Sequence, residues 1–136
     1  MNMAELRNYI ISNLSDFDVQ FMAKDMTTNN TYTAVYLIEK PECHKLTSGN
    51  ALIIKWNELD GGNYVRHFKV EITILADKLK NAISIKDTLI DMLDFYKEPC
   101  KIPQYTKFRF SNEGGIWLNK DTLLYNDKLF FECKII

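Results

Sequence analysis

A strict two-residue alternation near the middle of the chain most restricts what this sequence can fold into. Between Tyr64 and Ala76, Phe68, Val70, Ile72, Ile74 and Ala76 share one parity. His67, Lys69, Glu71, Thr73 and Leu75 share the other. Successive strand side chains point to opposite faces, so the segment predicts a strand with one core face and one partly polar face. The C-terminal residues repeat the pattern, with Leu129, Phe131, Cys133 and Ile135 on one parity.

A second period follows the first. From about Lys78 to Tyr96, Ala82, Ile85, Leu89, Leu93 and Tyr96 recur at helical spacing, and Ile90 and Met92 widen the stripe. Pro99 and Pro103 are read as ending this region. A shorter amphipathic helix is predicted near the N-terminus from Leu6, Ile10, Ile11 and Leu14. Phe17, Val19 and Phe21 alternate, a strand signal within Asp16 to Met26. The run from Thr33 to Glu39 is expected to pair with it across the polar turn Thr27–Thr31. Pro41 to Asn50 reads as a loop, and Ala51 to Trp56 as a strand. Asp60-Gly61-Gly62-Asn63 reads as a turn. Tyr105 to Phe110 reads as a short strand, and Ser111 to Thr122, with Gly114-Gly115, as a loop or wide hairpin. The expected order is α-β-β-β-β-α-β-β. This is an α+β fold with a mainly antiparallel sheet and two helices, in one domain spanning 1–136.

Composition narrows the functional classes. The hydrophobic share is 46%, which argues for a packed core rather than disorder. Lys plus Arg number 17 against 18 Asp plus Glu, a net charge of -1. Only Arg7, Arg66 and Arg109 are arginines. A near-neutral, arginine-poor chain is a weak candidate for sequence recognition of nucleic acid. No apolar run has the length of a bilayer span, and the N-terminal residues lack the apolar centre of a signal peptide. The expectation is assembly in a cytoplasm. Cys43, Cys100 and Cys133 are odd in number and unpaired in spacing, as reduced thiols are.

Few residues group into a chemical site. Cys43-His44 has no second Cys or His at ligand spacing, so neither a metal nor a cofactor is expected there. Asp87, Asp91 and Asp94 fall at i, i+4 and i+7 on the second helix, the pattern of a solvated face. Neither glycine pair sits in a phosphate-binding frame. No catalytic residue is expected. Trp56, Trp117, Tyr125 and Phe130 lie near turns or on outward positions. They are read either as subunit contacts or as residues covered by a helix.

The helix, the hairpins, Tyr64–Asp77 running into the helix of Ile85, Leu89 and Leu93, and the closing Lys128–Ile135 together resemble a known family. It is the tail-terminator, or tail-completion, family of long-tailed phages, including collar proteins of phage-like tail bacteriocins. The resemblance covers nearly the whole chain and rests on length, element order and hydrophobic pattern. It implies a non-catalytic subunit of a hexameric ring that caps the tail tube. The implied partners are further copies of itself, the tube protein and sheath or head-connector proteins. The implied location is the host bacterial cytoplasm during assembly and then the neck of a phage or phage-like particle.

On this reading His67, Lys69, Glu71, Phe130, Glu132 and Lys134 are candidate subunit contacts. Cys43, His44, Lys45, Leu46, Glu113 and Trp117 are candidate docking-loop residues. The alternatives are another head-completion or minor capsid protein and, in a different class, a small metal-dependent hydrolase using Asp87, Asp91 or His44. A nucleic-acid-binding module is a third reading.

Overall fold

The central alternating segment becomes a strand whose burial switches at every residue. In a computed structural model, which describes residues 3–60 and 66–135, β6 (Arg66–Ala76) buries Phe68, Val70, Ile72, Ile74 and Ala76. Its opposite parity is half-buried from His67 to Leu75. The turn read at Asp60-Gly61-Gly62-Asn63 falls, beyond Asp60, outside the described residues, as do Tyr64 and Val65.

Around β6 stands a mixed sheet in the order β3-β5-β6-β9-β7. Its members are β3 (Val35–Leu37), β5 (Asn50–Asp60), β6, β7 (Tyr105–Glu113) and β9 (Leu124–Ile135). The short β8 (Trp117–Asn119) pairs with the first residues of β9. Among the described residues, this sheet's pairings are antiparallel except β3 with β5. A second sheet has the order β2-β1-β4, from β1 (Met22–Asp25), β2 (Thr31–Thr33) and β4 (His44–Leu46). With helices α1 (Met3–Ser12) and α2 (Leu79–Leu93), the fold is α+β and mainly antiparallel.

α2 buries Ala82, Ile85, Leu89 and Leu93 against β6, β9 and β7. α1 buries Met3, Leu6 and Ile10. Tyr9 meets the ring of Phe95 edge-on, and the Tyr105 hydroxyl points to Met3 Sδ at 3.3 Å. Both helices therefore serve one face of the large sheet. Beneath them, Phe108 packs on Tyr105 and on Phe131, at the centre of the core. Gly49 needs its missing side chain, because its φ is +78° and a Cβ there would collide with the Asp77 carboxyl group.

Five local expectations change. Phe17 and Phe21 are buried but not in a strand. A 3-10 turn (Leu14–Asp16) precedes them, and their rings pack edge-to-face at 5.0 Å. Here ring packing, not pleat, sets the alternation.

The run from Thr33 to Glu39 does not form one hairpin arm. It divides at Ala34, whose N–H bonds to Phe21 and whose carbonyl accepts from Leu52. β2 thus joins the small sheet, while β3 runs parallel to β5 in the large one.

Pro41 to Asn50 is not wholly loop, since His44–Leu46 are β4, paired to β1. Ser111 to Thr122, read as a loop or wide hairpin, instead includes strand residues of two elements. β7 runs on to Glu113, and Trp117 opens β8.

The second helix stops at Leu93, short of Tyr96 and well before Pro99. Asp94 adopts an extended conformation, and Phe95 donates its N–H to Phe108 at 3.0 Å. Hydrogen bonding to β7 replaces the next helical turn, so Tyr96 leaves the stripe and is 57% exposed.

Candidate functional site

The outward parity of the large sheet collects the residues picked from sequence as subunit contacts. Register places His67 opposite Lys134, Lys69 opposite Glu132, and Glu71 opposite Phe130. Side chains directly opposite in a ladder share a face, so the six form one patch of three cross-strand pairs. Lys69 Nζ lies 4.8 Å above the Phe130 ring, and Lys128 reaches Glu71 at 3.9 Å. With Lys55, Asn57 and Ile38, Lys69, Glu71 and Phe130 line a groove of about 450 Å³. Ile38 at its rim is 57% exposed and holds φ +73°, a left-handed conformation that a β-branched residue rarely adopts. Phe130 thus faces outward, as one reading of the aromatics had it. Trp56 and Tyr125 fall on the opposite parity, aligned with Val70 and Ala76, and pack against the core.

The second set of candidates divides. Glu113 ends β7 and meets Lys86 of α2 at 3.6 Å. Trp117 starts β8 and is 52% exposed, followed by exposed Leu118 and, across the tight turn, Leu123. Asn119 Oδ1 accepts the N–H groups of Asp121 and Thr122 and so closes that turn. The β8–β9 hairpin is therefore an ordered arm with an apolar surface.

His44, Lys45 and Leu46 form β4 of the small sheet, and Cys43 lies in the turn just before it. Antiparallel pairing puts His44 directly opposite Asp25. The Met26 N–H bonds to the Cys43 carbonyl at 2.8 Å. The Asp25 carboxylate, Cys43 Sγ and a His44 ring nitrogen lie within 4.8 Å of one another. Asp25 Oδ1 accepts from the Thr27 hydroxyl at 2.6 Å and from the Thr27 N–H at 2.8 Å. These bonds, the hydroxyl's first, hold the Asp25 carboxyl below its usual range. His44 is stacked on Tyr32 at 4.8 Å, and its Nδ1 lies 3.0 Å from the Tyr36 hydroxyl. Burial raises the Tyr36 phenol above its usual range, so it stays neutral. Sequence inspection missed Asp25 because 18 residues separate it from Cys43; only the β1–β4 register joins them.

Asp87, Asp91 and Asp94 do not converge on this cluster. Asp87 and Asp91 are exposed on α2, while Asp94 turns inward to accept from Phe110 and Arg109. Burial pushes the Cys133 thiol up to about 12, which keeps it protonated and unreactive.

No protein-family model matches the sequence, and no curated protein does. Among solved structures, a chain of the virion of a native gene transfer agent (GTA) particle resembles it. The likeness has a TM-score of 0.57 and 14% sequence identity, covering 76% of this chain and 78% of that one. At that identity the likeness is one of fold.

Proposed function

We propose that this chain is a non-catalytic structural subunit of a phage-type particle. It forms a ring on the end of the tail tube, ends tube growth and presents a surface to the next neck component. The observation that carries this reading is the fold shared with a chain of a gene transfer agent virion over 76% of this sequence. The outer sheet patch supports it. A folded subunit gains little by holding Phe130 beside a groove on its outward face, whereas a neighbouring subunit would bury it. Alternating Lys and Glu around that ring would give the contact its register.

A tube of stacked identical rings presents the same growing surface after each addition, so ending it needs a different protein. Such a protein matches the tube on one side and withholds a further tube-binding surface on the other. The small sheet carrying Cys43–Leu46 and the apolar β8–β9 arm are the proposed docking elements. The same fold likeness also favours a second reading, another neck or head-completion subunit, because the neighbour is identified only as part of the virion.

Gene deletion separates the two. Loss of a terminator gives tails of uncontrolled length, and added protein caps tube ends in electron micrographs. Tails of normal length with unattached heads would instead support the head-side role.

A further inference from the structure

The small sheet brings together three side chains whose chemistry suits a cation. Asp25 comes from β1, His44 from β4, and Cys43 precedes His44 in the chain. Thiolate and imidazole together favour zinc over the hard cations magnesium and calcium. The His44 and Asp25 side chains are only 11% and 13% exposed, so they are held in place rather than freely solvated.

The geometry has a specific gap. His44 Nε2 and Asp25 Oδ2 face each other at 3.8 Å, too far for a hydrogen bond. Two ligands each about 2 Å from a tetrahedral zinc ion stand roughly 3.3 Å apart. A modest closing movement would therefore accommodate the ion. The outer ends of both ligands are already oriented: Thr27 occupies Asp25 Oδ1, and Tyr36 occupies His44 Nδ1. Partners of this kind fix which ligand atom faces the metal.

We infer that Asp25, Cys43 and His44 form a zinc site that clips β1 to β4 and the residue before it. This departs from the expectation of no metal, which rested on how scattered Cys and His are along the sequence. On binding, Cys43 releases its thiol proton and ligates as thiolate. A ring proton on Nε2 is replaced by one on Nδ1, which then donates to the Tyr36 oxygen. The fourth position is left for water or for a group from a docked protein. The ion would fix the conformation of a proposed docking element, but the inference does not depend on the tail role.

The test uses the full chain, stripped with a chelator and titrated with Co²⁺. A thiolate-to-cobalt charge-transfer band that saturates at one equivalent, and that zinc abolishes, is expected. Cys43→Ser should remove the band and Cys100→Ser should retain it. His44→Ala and Asp25→Asn should each weaken zinc binding by about tenfold or more. Zinc should also raise the melting temperature of the wild type but not of Cys43→Ser. A circular dichroism spectrum of metal-free Cys43→Ser that matches the wild type separates loss of the site from loss of the fold. If Cys43→Ser does not fold, the cobalt affinities of His44→Ala and Asp25→Asn decide. Absence of a saturable band in the wild type, a band that survives Cys43→Ser, or unchanged affinity in both other variants overturns the inference.

Discussion

Lys69 extends its ammonium group over the ring of Phe130, 4.8 Å from the ring centre, on the outward face of the large sheet. A cation held over an aromatic face is worth about 0.5–1 kcal/mol where solvent reaches it. The pair joins an apolar surface to a charge within one cross-strand patch. Phe130→Asp is therefore expected to reduce assembly of the proposed ring by roughly tenfold or more, as loss of an aromatic anchor does. The stability of the fold should change far less than in a core variant. Sedimentation velocity alongside thermal melting checks this. Undiminished assembly in Phe130→Asp would remove this face from the proposed interface.

Core positions should respond differently. Leu89 on α2 and Ile72 on β6 are both fully buried. Truncating either to Ala is expected to destabilise the protein by about 2–5 kcal/mol through lost burial and a residual cavity. Asp91→Ala on the exposed side of α2 is the control. Urea denaturation measures the difference, and equal midpoints for core and control variants would refute the packing described for α2.

Asp94 differs from the two aspartates that precede it at helical spacing. Its carboxylate accepts the Phe110 N–H at 3.2 Å and Arg109 Nε at 3.3 Å, tying the end of α2 to β7. Asp94→Ala is expected to cost about 1–2 kcal/mol, the range for losing a partly exposed hydrogen bond to a charged group. Asp87→Ala and Asp91→Ala should stay within about 0.5 kcal/mol of the wild type. Hydrogen exchange at the Phe110 amide should rise only in the Asp94 variant.

Asp127 makes stability depend on pH. It is fully buried on the helix-covered face of β9, and neither oxygen meets a hydrogen-bond donor. Burial first, then the neighbouring Glu113, push its carboxyl up from 3.8 to about 7. Its neutral form can donate to Glu113, which Lys86 approaches at 3.6 Å. The folded state thus holds a proton that the unfolded chain loses near pH 3.8. The associated stability is complete below about pH 4 and declines as pH rises through about 7. The loss should be at most about 4 kcal/mol. Asp127→Asn should flatten this slope and be the more stable form at pH 8. Parallel pH profiles for variant and wild type would contradict the assignment.

The two long strands, the helix stripe and the outward patch were legible in the sequence because each depends on a local period. Period two in β6 puts Lys69 and Glu71 outward wherever Ile72 is inward. The same rule in β9 puts Phe130 and Glu132 out. Period 3.6 likewise marks Ala82, Ile85, Leu89 and Leu93 as one helix face. Tertiary structure decided what no local period encodes, namely which strand meets which. Ala34 divides an unbroken β-favouring run between two sheets, because its N–H and carbonyl bond to Phe21 and Leu52, residues distant in sequence. Helix α2 ends at Asp94 rather than at a proline because β7 supplies the bonds that another turn would have made. Asp25 reaches Cys43 and His44 only through the β1–β4 register. Such pairings are non-local, set by competition among strands for hydrogen-bond partners and buried area, so they emerge only once the whole chain is folded.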